Sequence, residues 1–399
     1  MSKRNKKTML WIITILLITI VLGSACRSVD THPDGKETKN IPQATITEAT
    51  GEENQSSSED GAEEDLPTPQ TPAHMASGLV LSSLNETFYV DVNGEVVPLI
   101  DQPHAVLNPS HTQVLFARED PTNYKSDIWL LDLESGQEVN LTQTPDRDDI
   151  FPQWWPAHPE IAFFDSDDET GMINGQLPTI VNLDGSGYQI LDEINGGPKT
   201  LAADGGMIAY GGFSETGTGL IYHWSGDFDV FNPGDYGLNV EKIFQPSFSA
   251  DGRYLAWKVT GDLIEDGGSA IGLAIFDLQE RTAALMHVYT VQGGGMVPHY
   301  VSWSPDGNWI AYVTFGEEPA VGREPNLWLL RSDGSQETYI DIGLEPTWSP
   351  DGLSLAYIRT TMDGEIGLQI IDVETLTITA IDDLPFPDGV DYIMDWIQP

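Results

Sequence analysis

The chain has 399 residues, of which 18 are basic and 62 acidic, giving a formal net charge of −44. Nucleic-acid binding needs clustered positive charge, so no nucleic-acid partner is expected. The single cysteine, Cys26, excludes an intramolecular disulfide. A hydrophobic content of 40% with 11 Trp, 13 Tyr and 13 Phe is enough for a sizeable core.

Residues 1–26 read as an export signal. Lys3, Arg4, Lys6 and Lys7 precede the apolar run MLWIITILLITIVL, which is followed by Gly23, Ser24, Ala25 and Cys26. A basic start, a short apolar centre and small residues before a cut site form the secretory pattern. The run is shorter than the ~20 residues a spanning helix prefers. LGSAC resembles the bacterial lipoprotein box, which implies lipid attachment at Cys26, although Gly23 stands where the usual form has Leu. Ordinary cleavage after Ala25 and an uncleaved anchor are the alternatives, and each puts the remainder outside the cytoplasm. The expected location is extracytoplasmic, with the protein held to the bacterial cell membrane by its N-terminal lipid.

Residues 27–77 contain no Phe, Trp or Tyr and are rich in Ser, Thr, Glu and Pro. Such a composition buries too little apolar surface to offset ordering entropy, so a disordered tether is expected. Its typical reach is on the order of 40 Å.

From residue 78 onwards one phrase recurs. VSWSPDGNWIAY (301–312) and PTWSPDGLSLAY (346–357) are near copies, and SFSADGRYLAW, TLAADGGMIAY, QWWPAHPEIAFF and VLNPSHTQVLFA are weaker ones. Their anchors are Leu107, Trp154, Leu201, Phe248, Trp303 and Trp348, spaced 47, 47, 47, 55 and 45 residues apart. Nine residues after each anchor stands an aromatic: Phe116, Phe163, Tyr210, Trp257, Tyr312 or Tyr357. A seventh anchor, Trp396, follows 48 residues after Trp348 and only three residues before the last one given. Its missing partners are expected from GLVLSS (78–83) and TFYVDV (87–92).

Each unit also carries later strands, among them DIWLLDL (127–133), TIVNLDG (179–185), GLIYHWS (219–225), GLAIFDL (272–278), NLWLLRSDG (326–334) and GLQIIDV (367–373). Four short strands per ~47 residues indicate a propeller blade. The expected fold is all-β: a seven-bladed β-propeller of four-stranded blades over residues 78–399, closed by the C-terminal strand joining the N-terminal strands. Closure removes exposed edges. In the turn, Asp bonds nearby amides and Gly accepts positive φ.

The WSPDG…IAY…LWLL…DG pattern resembles the WD-repeat-like propeller repeats of the TolB family, related to the propellers of prolyl-oligopeptidase-type peptidases. The resemblance covers roughly residues 78–399. It implies a propeller, an extracytoplasmic setting and a bias towards protein binding. TolB itself carries an amino-terminal α/β domain, absent here, and six blades.

No catalytic residue is expected. The Gly-x-Ser-x-Gly elbow of the peptidase relatives is absent; Gly185-Ser186-Gly187 lacks its spacing. His32, His74, His104, His111, His158, His223, His287 and His299 show no metal-ligand spacing. His104 and His299 precede their anchors by three and four residues, near a channel mouth. His111 and His158 take the turn position that Gly holds elsewhere. No cofactor is expected, and calcium is the one metal in view, through Asp165, Asp167 and Glu169 of DSDDETG (165–171). That segment departs from the EF-hand pattern at Thr170 and Gln176, so a solvated acidic loop is the favoured reading.

The ligand-binding residues are not legible. Loops 260–269 and 314–325 are the expected contact surfaces. Trp129, Trp303, Trp328 and Trp348 recur and belong to packing, whereas Trp155 and Trp309 break the pattern and are the two candidates for an exposed aromatic. The expected function is a monomeric binding scaffold for an envelope protein or peptide. The alternative is a carbohydrate-binding or polysaccharide-degrading propeller using its central channel.

Overall fold

A computed structural model describes residues 78–91, 95–156, 158–167, 177–191, 199–211, 218–225, 227–263, 269–289, 300–315, 324–360, 366–381 and 392–397. They form seven four-stranded antiparallel sheets. The first blade runs, in spatial order, Tyr392–Ile397, Gly78–Ser82, Thr87–Asp91 and Val96–Ile100. The second is Val106–Leu107, Gln113–Glu119, Ser126–Asp132 and Glu138–Asn140. Blade three is Asp148–Trp154, Ile161–Asp167, Leu177–Asn182 and Gln189–Ile190; blade four is Lys199–Leu201, Met207–Gly211, Gly219–His223 and Phe228–Phe231. Lys242–Phe248, Tyr254–Asp262, Ser269–Asp277 and Thr282–Tyr289 make the fifth. The sixth is Val301–Trp303, Trp309–Phe315, Pro325–Arg331 and Glu337–Ile342, and the seventh Leu344–Trp348, Ser354–Thr360, Ile366–Asp372 and Thr377–Ile381.

Six anchors end the first strand of a blade, and the seventh, Trp396, lies one residue before the end of its own. Ring closure is as expected. Tyr392–Ile397 pairs antiparallel with Gly78–Ser82, placing Trp396 opposite Leu79 and Ile393 opposite Leu81. First strands touch first strands of neighbouring blades from blade four through five, six, seven and one to blades two and three. They therefore line the axis.

The core is divided among the seven blade junctions. A strand's side chains alternate between its two faces, so each second strand serves two junctions. In blade six, Ile310 and Tyr312 join Ala256, Leu273 and Ile275 of blade five. The intervening Trp309, Ala311 and Val313 join Trp348, Leu355 and Tyr357 of blade seven. Large apolar residues on both faces make stacking of neighbours obligatory.

The Ser-Pro-Asp-Gly turn is held by its own side chains. Ser304 Oγ donates to Asp306 Oδ1 at 2.5 Å and accepts from the Trp309 amide at 2.9 Å. The Asn308 amide donates to the same Asp306 oxygen at 3.0 Å, and Gly307 takes φ 72°. Ser249–Asp251 and Ser349–Asp351 repeat these bonds. His111 stands in the glycine place of blade two and adopts φ 56° there, a conformation L-residues other than Gly seldom take.

Blade three departs from the spacing. Its turn is one residue longer: Trp154 pairs with Ala162, eight residues on, whereas Trp303 pairs with Ile310 and Trp348 with Leu355, seven on. A one-residue slip exchanges the faces of a strand. Phe163, nine residues after its anchor, thus packs towards blade four with Trp155 and Tyr222, while Ala162 and Phe164 face blade two. His158, counted into the glycine place of this turn, stacks on Trp224 at 4.2 Å and does not share the positive φ.

The anchor tryptophans also bond across junctions. Nε1 of Trp154, Trp303 and Trp348 donates to the carbonyls of Val106, Ser247 and Ser302 at 3.0, 2.9 and 3.1 Å. Each acceptor immediately precedes the anchor of the previous blade, so the repeated tryptophan sets one blade's register against the next.

Candidate functional site at the channel mouth

The same repeat position carries an unusual backbone in four blades. Three residues before the anchor, His104, Phe151, Gln245 and Glu345 have φ 54°, 53°, 52° and 55°. In blades three, five and seven the register shifts there, between Ile150 and Gln153, Phe244 and Ser247, and Leu344 and Thr347. These are β-bulges on channel-lining strands, a device that re-aims a side chain. Non-glycine residues held at positive φ mark sites where strain is tolerated for function. In blade six the position is Tyr300.

Neighbouring members meet. The His104 and Phe151 rings lie 6.0 Å apart, bridging blades two and three. Tyr300 hydrogen-bonds the Glu345 carboxyl, bridging blades six and seven. Phe151 remains 48% exposed, so an aromatic face is open to a ligand. Burial lowers the His104 pKa, leaving a neutral imidazole, and its amide donates to Ser82 Oγ at 2.9 Å. None of the five side chains is cationic.

Burial raises the Glu345 carboxyl from 4.5 to about 7, against the opposing effect of the Tyr300 bond. Between those two values the folded protein holds a proton that the unfolded chain has released. Stability therefore falls as pH rises through that window. The urea midpoint of the native protein should drop more from pH 5 to pH 7.5 than that of Glu345→Gln. Parallel curves for the two would refute the assignment.

The structure distributes the other sequence candidates. Asp165 and Asp167 lie on the second strand of blade three, with Asp165 buried. Glu169 falls in 168–176, outside the described residues, as do Cys26, His32, His74, His299 and the centres of both expected contact loops. Among the described residues no three His, Cys, Asp or Glu side chains are grouped to hold a metal. His223 Nε2 meets Asp229 at 2.9 Å, and His287 Nδ1 meets Glu337 at 2.9 Å across blades five and six.

Trp155 and Trp309, the two candidates for an exposed aromatic, are both buried. Trp155 is 1% exposed and donates to the Gly205 carbonyl at 2.8 Å. Trp309 is 8% exposed beneath the Arg331 guanidinium, 3.9 Å from the ring centroid. Both fall at blade junctions, where breaking the repeat does not imply solvent. The bulge positions were missed, though Phe151-Pro152, Gln245-Pro246 and Glu345-Pro346 share a proline two residues before the anchor.

Fold and repeats together make this a seven-bladed β-propeller of TolB-like pattern. No protein-family model and no curated protein matches the chain. Among solved structures it is similar to a candidate 6-phosphogluconolactonase from Bacteroides fragilis, with a TM-score of 0.54 and 13% identity over 82% of this chain and 100% of the other. An oligogalacturonate lyase from Vibrio parahaemolyticus gives TM-score 0.54 and 10% identity, covering 75% and 88%. TolB from Acinetobacter baumannii gives 0.42 and 14%, covering 81% and 82%. At these identities the likeness concerns the fold alone.

Proposed function

We propose that this propeller is an extracytoplasmic binding scaffold, lipid-anchored at Cys26 and acting as a monomer, that holds a protein or peptide of the bacterial envelope at its channel mouth. The observation that carries the reading is one repeat position, three residues before the anchor, where Phe151, Gln245 and Glu345 sit in bulges of first strands and His104 and Tyr300 just precede theirs. An exposed aromatic beside amide, imidazole and carboxyl groups offers apolar area with a few directed polar contacts, the usual make-up of a recognition site. The basic leader, apolar run and Cys26 support the location and the anchor. The anionic balance of the chain favours neutral or basic partners.

A photo-crosslinking residue at Phe151 should capture a protein in native cells, and Glu345→Gln with Gln245→Ala should diminish that capture. Recovery of no protein, with retention of the purified chain on a glycan column, overturns the scaffold reading. That outcome would favour the alternative of a polysaccharide-binding or -degrading channel, for which the protonatable Glu345 beside Tyr300 is the supporting observation. Labelled fatty acid should enter the native protein and not Cys26→Ala.

A further inference from the structure

A second candidate site lies between blades six and seven, on the turns that follow their first and third strands. It is a cleft of about 290 Å³, just below the ~300–1,000 Å³ usual for ligand sites. The Arg331 guanidinium lies flat over Trp309 within it. Its N–H edges donate to no acceptor among the described residues. Two carboxylates that feel its charge, Asp306 and Asp333, are already hydrogen-bonded elsewhere, Asp333 by the Ser335 amide at 2.9 Å. Asp306 Oδ1 accepts from Ser304 and Asn308, and Oδ2 accepts from the Asn308 side chain at 2.6 Å. Burial opposes ionisation of Asp306, yet those bonds and the Arg331 charge outweigh it and keep the carboxyl below its ordinary range.

The apolar wall of the cleft departs from the repeat. Leu353 is 59% exposed at a position held by Thr112, Gly206, Arg253 and Asn308 in other blades. Leu376 is 38% exposed and takes φ 56° in the turn place where blade two has Gly136 at φ 69°. Arg281 takes the same turn place in blade five at φ 55°, so what sets this turn apart is the exposed leucine, which with Leu353 gives the cleft an apolar wall.

We infer that this cleft binds the C-terminus of a peptide, pairing its carboxylate with Arg331 and its last aliphatic side chain with Leu353 and Leu376. A guanidinium fixed by stacking presents a rigid fork that matches a carboxylate bidentately. A chain end joins a carboxylate and a side chain on one residue, which suits so short a cleft. Gln336 and Glu374 on its lining offer acceptors for the last amide N–H groups. This site is independent of the channel mouth and stands or falls separately from it.

The test uses the purified full chain and a fluorescent Gly-Ala-Leu-Leu peptide as free acid and as C-terminal amide, read by anisotropy. The acid should bind at least tenfold more tightly than the amide. Arg331→Gln should lose at least tenfold, with Arg331→Lys intermediate. Leu376→Gly should weaken binding several-fold while holding or raising the unfolding midpoint, because glycine relieves the strained turn. Equal binding of acid and amide, or no saturable binding of the acid up to millimolar concentration, overturns the inference. So does displacement of the peptide by isovalerate at matching affinity, since a free small acid would then be the ligand.

Discussion

Ending the chain after residue 391 should abolish cooperative folding of the propeller. The lost segment is the innermost strand of blade one, paired along Gly78–Ser82. Two costs combine. Leu79, Leu81, Phe88, Ala356, Ile358 and Leu368 lose the cover of Ile393, which is 6% exposed within that cluster. Truncating one such side chain to alanine costs about 2–5 kcal/mol, and domain stability is only about 5–15 kcal/mol. Gly78–Ser82 also becomes an open apolar edge, a template for aggregation. Size-exclusion chromatography should find the truncated protein in aggregates, and near-ultraviolet circular dichroism should find tertiary structure lost. A monomer with the native unfolding midpoint would show that the ring does not depend on this closure. Ile393→Asp should reproduce much of the defect with the backbone pairing intact.

Trp257→Ala should be the most damaging single truncation in the blade four–five junction, at about 3–5 kcal/mol. Its ring is wholly buried, with centroids 4.5 Å from Phe231 and 6.4 Å from Phe276. Leu255, Val259 and Phe248 belong to the same buried cluster, so removing the indole leaves a cavity at its centre. The indole Nε1 is buried without a hydrogen-bond partner among the described residues. An unsatisfied buried donor is itself destabilising by about 1–3 kcal/mol. Trp257→Phe removes that donor along with some ring contact, so it should cost about 1 kcal/mol or less. Urea unfolding of the two variants gives the comparison. A phenylalanine variant as damaged as the alanine one would mean that the N–H has a partner or that the bicyclic shape is indispensable.

Much of the architecture was legible because a propeller repeats its local chemistry. Ser304, Asp306 and Gly307 form their turn through contacts within five residues, so the phrase is visible wherever it recurs. Trp396 could be recognised as a seventh anchor even though its partner strands lie at the other end of the domain. Blade three was misread in one respect for a physical reason. PAHPE adds one residue to the turn, and the parity of a strand, unlike its existence, depends on that count. Counting nine from Trp154 reached an aromatic residue, Phe163, on the wrong face, because Phe164 beside it is aromatic too.

The candidate sites were far less legible. Positive φ at His104, Phe151, Gln245 and Glu345 is not encoded by residue type, as glycine turns are. At Phe151, Gln245 and Glu345 it accompanies bulges in the first strands, hinted at only by the shared proline, and at His104 it belongs to the turn that precedes the strand. Departure from the repeat made Trp309 a candidate for exposure, but Arg331 covers its face.

Composition and repeat spacing by themselves determined the all-β class, the number of blades and the closure of the ring, because alternation, turn chemistry and anchor recurrence are local properties. The tertiary structure alone decided which face each strand presents in blade three, which tryptophans are buried, and which unlike residues meet, as His104 with Phe151 and Tyr300 with Glu345 across blades and Trp309 with Arg331 within one. Those outcomes depend on register and on contacts between blades some 45–55 residues apart, where no local pattern records which side chains meet.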